Sequence, residues 1–150
     1  MPKLLYFIPC ERVIVSREGP LSLITVVEGL KLQIPAEEFG ALPDDAISPV
    51  TWNVVAKWMR EDNEEPQHWE QRVQIVTPNG RVSTNSITAF DLVNNVSMRN
   101  LLQVNGIPIK PLGQGNVVLS LRQSGGDDAA WQVIATYPIV IANHPPNPEE

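Results

Sequence analysis

Apolar and polar positions alternate along most of this chain in short stretches, each walled off by Gly, Pro, Asn or acidic residues. Residues 50–60 show the alternation most cleanly, with Val50, Trp52, Val54, Ala56 and Trp58 sharing one face. A period of two places successive side chains on opposite sides of an extended strand, so this stretch argues strand rather than helix. Residues 67–77 repeat the pattern, with Trp69, Val73 and Ile75 in phase. Pro78-Asn79-Gly80-Arg81 then reads as a tight hairpin turn, because Asn-Gly accepts the positive φ of a type I′ turn. The Ser/Thr-rich stretch 82–90 that follows has the composition of an edge strand.

The remaining segments are read the same way. Residues 3–15 are strand-like but interrupted at Pro9, which removes a ladder donor and suggests an edge or a bulge. Residues 21–34 form the second arm of a hairpin, with Gly29 marking a bulge or a close backbone approach. Pro35, Glu37 and Glu38 suit the start of one helical turn. Residues 96–104 are ambiguous, since Met98, Leu101 and Leu102 also fit a helical face. Residues 105–116 read as a loop, and 117–123 with 130–142 as a closing hairpin.

Eight strands at this spacing predict an all-β fold, a single-domain antiparallel β-sandwich of about eight strands, with a closed β-barrel as the alternative. The sandwich domain is expected over residues 1–142, with a Pro-rich flexible tail over 143–150.

Composition narrows the function. The 150 residues carry a formal net charge of −6, and the few basic residues are scattered singly, so no nucleic-acid footprint is expected. Cys10 is the only cysteine, which excludes an intrachain disulfide and any zinc cluster built on cysteines. No stretch approaches the ~20 apolar residues of a membrane helix, and residues 4–9 are too short for a signal-peptide core. A soluble cytoplasmic protein without membrane insertion is the expectation.

Three parts of the chain carry a family resemblance. They are the run Leu4-Leu5-Tyr6 through Val13 with Leu23-Ile24-Thr25-Val26-Val27-Glu28-Gly29-Leu30, the central Pro49-Val50-Thr51-Trp52, and Val117-Val118-Leu119-Ser120-Leu121 with Thr136-Tyr137-Pro138-Ile139-Val140. In these the layout resembles the DUF6941-like family of small uncharacterised bacterial β-sandwich proteins. The resemblance implies a sandwich-like fold and a bacterial source, and supplies no activity.

Candidate chemistry comes from strand parity. With successive strands antiparallel, the turns at 16–20, 61–66, 91–95 and 124–128 share one end. Together they hold Glu18, Glu61, Asp62, Glu64, Glu65, Asp91, Asp127 and Asp128. Asp62, Glu64, Asp91, Asp127 and Asp128 are candidate oxygen ligands for calcium, which takes several from flexible loops. Polar turns also carry acidic residues simply because they face water, and no EF-hand spacing is present. Trp58 and Trp69 flank the acidic turn beside His68, and exposed rings there would offer a platform for a small ligand. His68 and His144 lack a catalytic context, Cys10 lacks a spaced histidine, and no serine sits in a GxSxG elbow, so an enzyme is not expected. The reading that remains is a protein-interaction or self-assembly module, acting through a partner or as a homo-oligomer, with an acidic-end ligand or calcium site as the alternative. An open sheet edge, at residues 82–90 or at the Pro-interrupted first strand, would accept a partner's strand.

Overall fold

The computed structural model describes residues 1–17, 19–63 and 66–147. Nine strands run β1 (Lys3–Val15), β2 (Leu21–Val26), β3 (Gly29–Leu32), β4 (Ile47–Met59), β5 (His68–Val76), β6 (Val82–Asp91), β7 (Ser97–Pro108), β8 (Gly113–Gln123) and β9 (Gln132–Asn143). One short helix, α1 (Ala36–Ala41), follows Pro35 with Glu37 and Glu38 in its first turn. The strands form two packed sheets, β2-β1-β4-β7 and β3-β9-β8-β5-β6. This is the all-β sandwich the alternation predicts, and the sheets stay separate rather than closing into a barrel. Every pairing is antiparallel except β3 on β9, which is parallel.

The core lies between the sheets and is built from the inward phase of each strand. Trp52, Val54, Ala56 and Trp58 of β4 face Val73 and Ile75 of β5 and Val117, Leu119 and Leu121 of β8, all buried. Two polar side chains, Gln71 and Asn100, sit inside this apolar layer. Gln71 of β5 is buried, and its Oε1 accepts from Trp58 Nε1 and from Asn100 Nδ2, each at 2.9 Å. Both donors belong to the opposite sheet, so one carboxamide oxygen ties the two layers together. Trp52 satisfies its own indole through the carbonyl of Gly106, at 2.9 Å.

The stretch 21–34 is not one strand. The chain leaves the first sheet after Val26 and enters the second at Gly29, which raises the strand count to nine. Thr25 takes φ +56°, a conformation that strains a β-branched residue, where the chain changes sheets. Gly29 is the close approach its position suggested: a Cβ there would stand 2.1 Å from the carbonyl oxygen of Val140.

β1 is not an edge, contrary to the reading of Pro9. It lies between β2 and β4. The Pro9 carbonyl accepts from Val27 N–H at 2.9 Å, so the missing donor of Pro9 points toward the departing β2 chain and leaves the β4 ladder intact. The stretch 96–104 resolves as strand, with Met98 opposite Trp58 and Leu102 opposite Val54. The 78–81 turn also differs from the two-residue form. Gly80 N–H bonds Thr77 O, Thr77 N–H bonds Arg81 O, and only Gly80 has positive φ, which makes a three-residue loop with a left-handed glycine.

Beyond Cys10 the β1–β2 hairpin becomes an arm that folds over the outer face of the first sheet. Arg99, on the outward phase of β7, donates from Nη1 to the carbonyl of Gly19 at the hairpin tip, at 3.3 Å. Asn53 Nδ2 reaches Glu11 O at 3.1 Å. Cys10 and Val55 share that outward phase and are nevertheless 0% exposed.

Replacing Gln71 by Leu strands the Trp58 and Asn100 donors, and we expect a loss of about 2–4 kcal/mol in urea unfolding. An unchanged midpoint would show that the carboxamide does not bridge the sheets. Gly29→Ala is expected to cost about 1–3 kcal/mol by prising β3 off β9. Faster amide exchange at Lys31 and Leu32 is the accompanying sign, and unaltered exchange there would contradict it.

Candidate interaction edge

Three of the four turns grouped by parity do meet. Arg60 N–H bonds Val96 O at 2.8 Å, Leu92 N–H bonds Gln67 O at 2.9 Å, and Ser124 N–H bonds His68 O at 3.1 Å. The fourth, 16–20, closes the hairpin arm and shares no backbone hydrogen bond with them among the described residues.

The turns converge, but the carboxylates of Asp91, Asp127 and Asp128 are directed to local tasks. Asp91 Oδ1 accepts from Val93 N–H at 3.1 Å. Asp127 caps the short helical turn 128–130 through Ala130 N–H at 3.1 Å. Asp128 is fully exposed, 3.6 Å from Arg122 Nη1. The Asp62 carbonyl accepts from Gln67 Nε2 at 3.4 Å. Glu18, Glu64 and Glu65 lie outside the described residues, as do 148–150 of the tail. Among the described residues no three His, Cys, Asp or Glu side chains gather where one ion could be held.

The tryptophan platform does not form. Trp58 is 0% exposed and Trp69 8%, and their N–H groups are committed to Gln71 and to the Pro66 carbonyl. Both flank the acidic turn in sequence, yet the inward phase of β4 and β5 drives their rings into the core, where Trp58 stacks on Phe90 with centroids 6.0 Å apart. His68 stays exposed on β5, with Asp91 as its register partner on β6. The tryptophan that does meet cations is Trp131, half-buried on the outer side of the second sheet. Arg122 and Arg72 place their guanidinium carbons 4.3 and 4.6 Å from its centroid, and Arg122 Nε pairs with Glu70 Oε2 at 2.6 Å. The even-phase positions of Glu70, Arg72 and Arg122 are the sequence signal for that cluster, which pins the β8–β9 turn to the sheet.

A depression of about 630 Å³ is lined by Phe39, Asp44, Asn79, Arg81, Lys110 and Leu112. Its cations are already engaged: Lys110 Nζ donates to Leu42 O at 2.7 Å and Arg81 Nη2 to Asp44 O at 3.2 Å. Burial pushes the Cys10 thiol up from its ordinary value, which lowers its thiolate content.

The least protected feature is the β6 edge. Proteins blunt edge strands with charge, proline, bulges or brevity. Of the four terminal strands, β3 has four residues, β2 six with a kink at Thr25, and β7 carries Arg99 and ends at Pro108. β6 has ten residues, and from Val82 to Phe90 it contains neither charge nor proline, with one bulge at Ser83 near its start and regular pairing from Thr84 onward. Leu92 N–H bonds Gln67 O, so Phe90, Thr88, Ser86 and Thr84, at alternate rungs, also direct their backbone groups to β5. Asn85, Ile87 and Ala89 therefore aim theirs away from the sheet. Their side chains are exposed on its outer face, Ile87 at 49%, while Thr84, Ser86 and Thr88 are half-buried on the inner face.

Compared with known protein families, the chain matches no family model, and no curated protein matches it either.

Because no metal-holding group of acidic side chains gathers among the described residues, calcium is expected to leave the thermal midpoint unchanged. A rise of several degrees that Asp127→Asn with Asp128→Asn removes would reverse that conclusion.

Proposed function

We propose that the protein is a non-catalytic interaction or self-assembly module whose working surface is the open edge of β6. The observation that carries this reading is the uncharged, proline-free run of nine residues with outward-directed backbone groups at Asn85, Ile87 and Ala89. Such an edge binds by adding a strand: the main chain supplies affinity, and the alternating side chains supply selectivity. The engaged carboxylates and the exposed His68 favour binding over catalysis. In this reading the module works in the cytoplasm of a bacterium. The lone buried Cys10 supports it, and no helix among the described residues is long and apolar enough to cross a membrane.

Ile87→Pro tests the site. The Ile87 N–H takes no part in the β5 ladder, so proline is expected to leave the sandwich folded while removing a donor that an added strand needs. A protein captured from host lysate by the native chain should be lost with Ile87→Pro and kept with Ile87→Val. Retention by the proline variant would move the working surface elsewhere.

A further inference from the structure

The flank that the β2–β3 crossing closes keeps a hollow of about 370 Å³. Its apolar lining includes Val27, Leu30, Trp52 and Ile107, each part of the core between the sheets or packed against it. Glu11 and Glu28 line it as well. We propose that this hollow binds a small organic cation of the alkylammonium class, its ammonium head held by the two glutamates and its hydrocarbon body set against the apolar wall.

Register accounts for the meeting of the two glutamates. Continuing the β1–β4 pairing one step past Cys10 and Asn53 sets Glu11 level with Trp52, on the inner phase. Glu28 O accepts from Val140 N–H at 3.0 Å, so the parallel ladder on β9 already includes Glu28 and puts it in phase with Leu30. One glutamate therefore comes from the margin of each sheet. Arg12 and Lys31, the basic residues nearest them in sequence, stand on the opposite phases of β1 and β3. Neither carboxylate has a hydrogen-bond or ion-pair partner among the described residues.

The lining selects the ligand. Small-molecule sites occupy roughly 300–1,000 Å³ and are mostly apolar with a few polar groups, so a hollow of this size takes a compact hydrocarbon body. Two like charges at one hollow repel, and an ammonium between them replaces that repulsion with charge-assisted hydrogen bonds. The chain's net charge of −6 enriches cations near its surface and depletes anions. Trp52 spends its indole N–H on Gly106 O, so its ring offers apolar surface and no donor. None of the residues lining the hollow lies on β6, which makes this site independent of the β6 edge.

An amide chemical-shift titration of the full chain with hexylammonium tests the proposal, with hexanol and hexanoate as the neutral and anionic matches. Hexylammonium should move the amide signals of Val27, Gly29 and Thr51 together and bind more tightly than hexanol, with hexanoate weakest. Added salt should weaken the amine and not the alcohol. Glu11→Gln with Glu28→Gln should raise the hexylammonium dissociation constant about tenfold and leave that of hexanol unchanged. Both glutamates are exposed, so the double variant is expected to stay folded, with a thermal midpoint no lower than that of the native chain. The cation site is overturned by hexylammonium that leaves these three amides unmoved, by equal binding of amine and alcohol to the native chain, or by an amine affinity that the double variant keeps.

Discussion

Two sheets of a sandwich are held in register only where their inner faces recognise each other, and in this protein that recognition centres on the oxygen of one carboxamide. Gln71 accepts from Trp58 and Asn100 of the opposite sheet within an otherwise apolar layer. Apolar side chains alone would let the sheets slide, because burial is roughly proportional to area and indifferent to direction. Two directional bonds converging on one atom make most displacements costly, since a slide would leave buried donors without partners. The inward set of Trp58, the stacking of Phe90 on it and the placing of β6 at the margin all follow from that alignment.

The margin is where the fold stops protecting itself. On one flank the chain passes from β2 to β3, joining the sheets covalently, and the parallel β3–β9 pairing seals that side. On the other flank β6 and β7 end their sheets. β7 is guarded by Arg99 and Pro108, whereas β6 carries neither charge nor proline along Val82 to Phe90 and is interrupted only by the bulge at Ser83. The inner face of β6 is polar as well, so the core thins toward it and its hydroxyls lie within reach of an added strand.

The architecture was largely legible because period-two alternation survives wherever one face is buried, as at 50–60 and 67–77. The edge at 82–90 was legible too, since a strand with one free side tolerates Ser and Thr on its inner face. The role of Pro9 was hidden: whether a missing N–H harms a sheet depends on the side to which it points, and that is set by the tertiary partner. The split at Val27 was masked by continuous β propensity on both sides of the crossing. Trp58 and Trp69 misled because nearness to a charged turn in sequence says little about ring direction, which strand phase decides. Gln71 stands in phase with Trp69, Val73 and Ile75, and only its donors across the core reveal its task. The meeting of three turns followed from parity, whereas the capping and pairing that occupy Asp91, Asp127 and Asp128 depend on backbone geometry that composition does not record.

The arm that continues from buried Cys10 gives the molecule an internal chronometer. The thiol lies on the outward phase of β1 yet is fully buried, and the hairpin that continues from it is tied to the sheet by Arg99 Nη1 to Gly19 O and Asn53 Nδ2 to Glu11 O. Subglobal opening of that hairpin requires no disruption of the main core, so it belongs to the low end of the protein's ladder of local unfolding free energies. The rate at which a thiol reagent modifies Cys10 thus reads how often the arm lifts, separately from the global stability set between the sheets.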